Sequence, residues 1–218
     1  MDFDKFKRAY SPSTSFSDTS KDCDLEIFAS SPGATEFFSL FNGISVANGV
    51  YRVHKVAEIK AWSRRVTSRL FRKYTSRVEC FGYDWKGRHF AIETNRKNTV
   101  GIPLVTMFDP ETAKAFESPL TFSEFHNEEL VDCANDALDV QTFQQWRTAN
   151  QNRDLTQLEC VACKIPLFLG GKDTLSNLET TDLEVYWELM GQLLDKTKDL
   201  SAGTKIIGVS KPDNNSND

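Results

Sequence analysis

The chain has no apolar run of the roughly 18–20 residues that a membrane span requires. Its N-terminus, Met-Asp-Phe-Asp-Lys-Phe-Lys, has no apolar signal core, so nothing directs export and the cytoplasm is the expected location. The five cysteines (Cys23, Cys80, Cys133, Cys160, Cys163) are an odd number scattered over 218 residues. That pattern excludes a disulfide framework and suits a reducing compartment. The three histidines (His54, His89, His126) are far apart, and none sits in a metal-binding spacing. No glycine-flanked nucleophilic serine and no serine–histidine–acid grouping is present. Gly82-Tyr-Asp-Trp-Lys-Gly-Arg88 and Gly170-Gly-Lys-Asp-Thr174 both lack phosphate-loop spacing, and each reads as a turn. There is no internal repeat. These absences remove the usual routes to catalysis, and no enzyme activity, metal or cofactor is expected.

What is present is an ordinary soluble composition, 39% apolar and 26% charged, in a chain long enough to bury a substantial core. The net charge of −5 hides a strong segregation. Residues 52–97 hold 13 Lys/Arg against 4 Asp/Glu, whereas the rest of the chain holds 13 against 27. A mildly acidic total argues against a dedicated nucleic-acid binder, while a basic segment within it bears on partner choice.

Along the chain, Phe3, Phe6 and Tyr10 stand out as docking anchors in a short N-terminal helix. Ser31-Pro32 reads as an N-cap and first helical residue, with Asn42-Gly43 closing that helix. Asn48-Gly49 marks a turn before a strand at Val50–His54. Ile59, Trp62, Val66, Leu70 and Tyr74 recur at helical spacing, predicting an amphipathic helix from about Ala57 to Tyr74. Val78–Tyr83 and His89–Glu93 read as strands around the hairpin loop Asp84–Arg88. Ile102–Phe108 is a further strand, turned by Asp109-Pro110-Glu111, with Ala115–Ser118 pairing back. Thr121 with Glu124 is a capping box for a helix through Val131. Asp139 is placed to cap a helix carrying Phe143 and Trp146.

Ile165–Leu169 reads as an edge strand or a short buried extended run, because Pro166 has no amide hydrogen. Gly170 and Gly171 end it. Thr181 and Glu184 form a second capping box, for a helix whose Leu183, Tyr186, Met190, Leu193 and Leu194 face a core. Thr204–Val209 suggests a last strand, and residues 210–218 a disordered tail. Strands in the middle with helices before and after predict an α+β fold: an antiparallel or mixed sheet with a central hairpin, flanked by amphipathic helices. The expected organisation is a poorly defined segment 1–32 and an α+β region 33–209, divisible into lobes 33–120 and 121–209.

Three features invite chemistry. Cys160-Val-Ala-Cys163 lacks a second ligand pair for zinc, and on a strand its two sulfurs point to opposite faces, so a buried structural pair is expected. The acids of His126-Asn-Glu-Glu129 suit a helix N-terminus better than catalysis. The arginine-rich face of residues 60–77, interleaved with Trp62 and Tyr74, is able to grip a phosphate backbone. A solvated helix face neutralised by the acidic remainder of the fold is the favoured account, because charge runs on amphipathic helices are usually solvated faces.

Asn48-Gly-Val-Tyr-Arg-Val-His54, the hairpin Cys80–Glu93, and Pro166–Asp173 continuing through Asn177-Leu-Glu179 and Asp182–Trp187 together resemble the bacterial immunity proteins that protect against type VI secretion DNase effectors. The first two segments resemble the GAD-related N-terminal domain of those proteins, and the third their C-terminal part. A looser resemblance is to the SUKH immunity proteins. The resemblance implies a non-catalytic cytoplasmic protein that neutralises a cognate toxin, a DNase, by stoichiometric occlusion, with no membrane and no nucleic acid as partner. The expected partner-binding positions are Asp84, Trp85, Arg88, Lys172, Asp173, Asn177, Glu179 and Asp182. Acids such as Asp173, Glu179, Asp182 and Glu184 either cover a basic nuclease groove or only cap and solubilise the last helix. A regulatory or scaffold protein of similar fold, and a nucleic-acid module using the basic face 60–77, are the alternatives.

Overall fold

The structure, a computed structural model, describes residues 3–10 and 28–200. In chain order the elements begin with helices α1 (Asp4–Ala9) and α2 (Ala34–Phe41), strands β1 (Ser45–Val46) and β2 (Tyr51–Val53), and helix α3 (Val56–Ser68). Strands β3 (Val78–Asp84), β4 (His89–Lys97), β5 (Pro103–Asp109) and β6 (Lys114–Thr121) follow. A helical run then comprises α4 (Phe122–Glu124), a π-helical turn at Phe125–Glu129, α5 (Leu130–Asp132), α6 (Ala134–Leu138) and α7 (Val140–Ala149). The described chain closes with β7 (Glu159–Cys163), β8 (Leu178–Asp182) and helix α8 (Leu183–Thr197).

The fold is α+β, as expected. Strands β1 to β6 form one antiparallel meander in sequence order, and β7 pairs antiparallel with β8. The central ladder sets Cys80 opposite Ala91 and Ile92 opposite Val105. A bulge falls between Cys80 and Gly82. A side chain at Gly82 would stand 2.6 Å from the Tyr51 hydroxyl, which is why this strand position carries none.

Side-chain alternation divides the interior into two cores. On β3, Phe81 joins the first and Cys80 and Tyr83 the second; on β4, Phe90 and Ile92 alternate with Ala91 in the same way. The first core also takes α1, α2, the start of α3 (Val56, Ile59) and the helical run after β6, and the second takes the rest of α3 (Trp62, Val66) and α8. A sheet covered on both faces buries both residue sets of each strand. Strand β7 obeys the same rule: Cys160 belongs to the second core and Cys163 to the first, both buried. The two sulfurs therefore point apart, as the strand reading expects. Burial pushes both thiols up from their usual range, so neither is an activated nucleophile.

Phe3, Phe6 and Tyr10 are buried as anchors, and the Tyr10 hydroxyl donates to the Leu130 carbonyl at 2.5 Å. Phe6 and Phe37 both pack against the imidazole of His126, which sits among phenylalanines and bonds the Tyr51 hydroxyl at 2.9 Å. The capping box at Thr121 and Glu124 is present.

Several local expectations are corrected. Helix α2 is preceded by Gly33 at φ +83, not by a serine cap at Ser31. Helix α3 ends at Ser68, and Tyr74 lies in a separate 3-10 turn, Arg72–Tyr74. Ile165–Leu169 is not a strand: Leu167–Leu169 is a 3-10 turn with no buried residue. Thr181 belongs to β8, and the cap of α8 is Asp182, whose carboxylate accepts from the Val185 amide at 2.9 Å. Asp139 precedes α7 in a left-handed conformation and caps none of its amides; its carboxylate meets Lys86 and the Thr142 side chain instead. The expected strand at Thr204–Val209 and the tail lie outside the described residues.

Candidate functional site

The β3–β4 turn is built by Asp84. Its carboxylate accepts from the amides of Lys86 (3.0 Å) and Arg88 (2.9 Å) and from the Arg88 side chain (2.5 Å). Burial raises the pKa of this carboxyl, and the Arg88 charge and hydrogen bonds pull against that shift. Gly87 adopts φ +75, and a side chain there would press on Leu183 and Cys160. The turn thus projects as a peg into the C-terminal half of the chain.

The peg is gripped on every side. The Trp85 indole donates to the Leu138 carbonyl (2.7 Å), its amide to Val50, and its carbonyl accepts from Val161 (2.7 Å). Arg88 donates to the Ala137 carbonyl at 3.0 Å, and Trp187 of α8 donates to the Gly87 carbonyl at 2.9 Å. From β2, fully buried Arg52 reaches the carbonyls of Asp84, Thr156 and Glu159 and stacks over the Tyr83 ring. The three sequence segments that carry the family resemblance therefore meet at one place.

Lys86 lies at the centre, with its side chain only 8% exposed. Its ammonium is 2.9 Å from Asp139 and 3.6 Å from Asp173. Burial works against its charge, but Asp139, Asp173 and Glu111 outweigh that and hold its pKa above the usual lysine value. Glu111 accepts from the Cys163 amide at 3.0 Å, and burial pushes its carboxyl up to about 7. None of Lys86, Glu111 and Asp139 was among the expected site residues. Lys86 sits inside the quoted hairpin loop, but only the three-dimensional structure brings Glu111 and Asp139 to it.

The expected partner-binding residues separate into three groups. Asp84, Trp85 and Arg88 meet Asp173 around Lys86; Asp84 and Trp85 are wholly buried and act as internal framework. Asn177 is a clamp: its side chain accepts from the Ile165 amide and donates to the carbonyls of Ile165 and Lys172, all within 3.0 Å. Lys172, Asp173, Glu179 and Asp182 are exposed along the loop and the β8 strand that follows it.

Arg65 of α3, with Arg69 and Arg72 just beyond it, pairs with α8. Arg65 bonds Glu184 at 2.9 Å, Arg69 lies 3.2 Å from Glu188, and Arg72 lies 3.2 Å from Asp195. Trp62 and Tyr74 are buried, so they offer no stacking platform to bases. Among the described residues, no group of three or more His, Cys, Asp or Glu side chains is placed to hold a metal ion, and no helix is long and apolar enough to cross a membrane.

Residues 120–194 match the family model described as T6SS immunity protein Tdi1, C-terminal. No protein of curated function matches the chain. The crystal structure of Atu4351 from Agrobacterium tumefaciens is similar with a TM-score of 0.61 at 14% identity, covering 88% of this chain and 89% of that one. At that identity the likeness shows a shared fold. The family match is more specific, and it places a segment similar to the C-terminal part of a type VI secretion immunity protein from β6 to α8.

Proposed function

We propose that this chain is an immunity protein that binds a type VI secreted toxin, a DNase, and blocks it by stoichiometric occlusion. The match of residues 120–194 to the immunity-protein family carries the reading. The GAD-related character of the N-terminal sheet belongs to the same proposal. The protein has no reaction of its own; it works by presenting a rigid, preorganised surface.

Charge supports the DNase assignment. The matched segment holds 13 Asp/Glu against 4 Lys/Arg, the mirror image of residues 52–97. A nuclease must hold phosphates in a basic groove, and an acidic surface both steers towards such a groove and complements it. Lys172, Asp173, Glu179 and Asp182 form the proposed partner-facing edge, held from beneath by the Asp84–Arg88 turn. The alternative nucleic-acid reading loses support, because Arg65, Arg69 and Arg72 are paired with α8 and its aromatic rings are buried.

The reading predicts a toxin gene immediately beside the gene for this chain. Co-expression of the pair in a heterologous host should restore growth that the toxin alone abolishes. Persistent killing, with the immunity chain expressed and folded, would sink the proposal.

A further inference from the structure

A cavity of about 190 Å³ opens between β4–β6 and the helical run that follows them. Its apolar lining includes Met107, Phe116 and Phe125, and two carboxylates, Glu129 and Asp136, stand at it, whereas the Glu117 carboxylate accepts from the Tyr74 hydroxyl at 3.4 Å. Phe116 is 46% exposed, an unusual position for a phenylalanine on an edge strand. The one cation in the lining, Arg88, is already committed to Asp84 and to the Ala137 carbonyl. Glu129 and Asp136 have no cationic partner within salt-bridge distance among the described residues. The cavity is smaller than the roughly 300–1,000 Å³ of small-molecule sites, so it suits a single side chain.

We infer that this groove receives an arginine side chain projecting from the bound toxin, an assignment that rests on the immunity reading and deepens it. An arginine stem needs apolar surface along its length and carboxylates at its tip, and the groove supplies both. The exposed Phe116 ring adds a face on which a planar guanidinium stacks. Arginine is also the charged residue most often found as a buried anchor at protein interfaces. Both carboxylates lie in the family-matched segment, which is the acidic part of the chain.

The first test uses methyl-labelled methionine. The chain has three methionines; Met107 lines the groove, and Met190 is buried in the second core as an internal control of folding. Titration with N-acetyl-arginine methylamide should shift Met107 saturably in the millimolar range and leave Met190 unmoved. In Glu129→Gln/Asp136→Asn, which keeps side-chain size, the affinity should fall by about fivefold or more, as expected when charge-assisted bonds are lost. No saturable shift, or equal affinity in the variant, overturns the assignment; so does an equal response to N-acetyl-leucine methylamide.

The second test measures the complex with the cognate toxin. The same double variant should bind about tenfold more weakly, with wild-type stability. Wild-type affinity in the variant overturns the groove and leaves the immunity reading standing. If the wild-type chain itself fails to bind, the immunity reading falls and the toxin with it, while the titration still decides whether the groove takes a guanidinium.

Discussion

Trp187 donates its indole N–H to the carbonyl of Gly87 at 2.9 Å, joining residues 100 positions apart in the chain. Both groups are buried, and the Gly87 carbonyl also takes the His89 Nδ1 at 3.1 Å, so removing the indole leaves it one donor. Trp187→Phe should cost about 1 kcal/mol, the net worth of one buried hydrogen bond. Gly87→Ala should cost a similar amount through its positive φ and its close approach to Leu183. Urea unfolding measures both; an unchanged midpoint in both variants would show that this joint does not hold the halves together.

The cap of α8 gives a sharper discrimination between neighbours. Asp182→Ala should lose about 1 kcal/mol because the Val185 amide loses its acceptor. Thr181→Ala, one residue earlier on β8, should change stability by no more than about 0.5 kcal/mol. The reverse order would restore the capping box at Thr181.

Buried and exposed members of the expected interface should behave differently. Trp85→Phe leaves the Leu138 carbonyl unpaired and should destabilise by about 1–3 kcal/mol, with toxin affinity of the folded protein unchanged. Glu179→Lys should leave stability within about 0.5 kcal/mol of wild type and weaken toxin binding, most strongly at low salt. Calorimetric titration of the two variants separates these outcomes.

The pH dependence has two opposing parts. Burial, as the largest cause, holds His54, His89 and His126 below the usual value of 6.5, the last two at about 3. The unfolded chain then binds more protons than the folded one below about pH 6.5, so these histidines weaken the fold as pH falls. Glu111 works the other way: its carboxyl, raised from 4.5 to about 7, favours the folded state at low pH and loses that contribution as pH rises through 7. From pH 7.5 to 5.5 His89 and His126 together cost about 3 kcal/mol, His54 adds to that loss, and Glu111 returns about 2. Stability should therefore fall in the wild type, and by about 2 kcal/mol more in Glu111→Gln. Denaturant curves at the two pH values measure this, and a rise in wild-type stability on acidification would contradict it.

Much of the framework was legible because it depends on short-range signals. The hairpin at Asp84–Arg88, the anchors Phe3 and Phe6, the Thr121–Glu124 box and the opposed Cys160 and Cys163 follow from turn chemistry and the period of two along a strand. The misreadings occurred where two local signals competed. Thr181 and Asp182 are both good caps, and pairing of β8 with β7 out to Asp182 places Thr181 inside the strand. At Pro166 the missing amide suggested an edge strand, whereas the turn closes on itself through Gly170 and Gly171 amides. Lys86 was hidden for a different reason. Its partners Asp139 and Asp173 lie 53 and 87 positions away, and sequence spacing carries no information about contacts at that range. Arg65 and Arg69 show the same limit: their acidic partners on α8 are more than 100 residues distant.

The central claim is stoichiometric binding of a toxin, and size-exclusion chromatography with light scattering on the purified chain and its neighbouring toxin tests it most directly. The account predicts a single 1:1 complex that survives at nanomolar concentrations, with the toxin's DNase activity lost in step with complex formation. Two separate monomer peaks at micromolar concentrations, with DNase activity untouched, would contradict it.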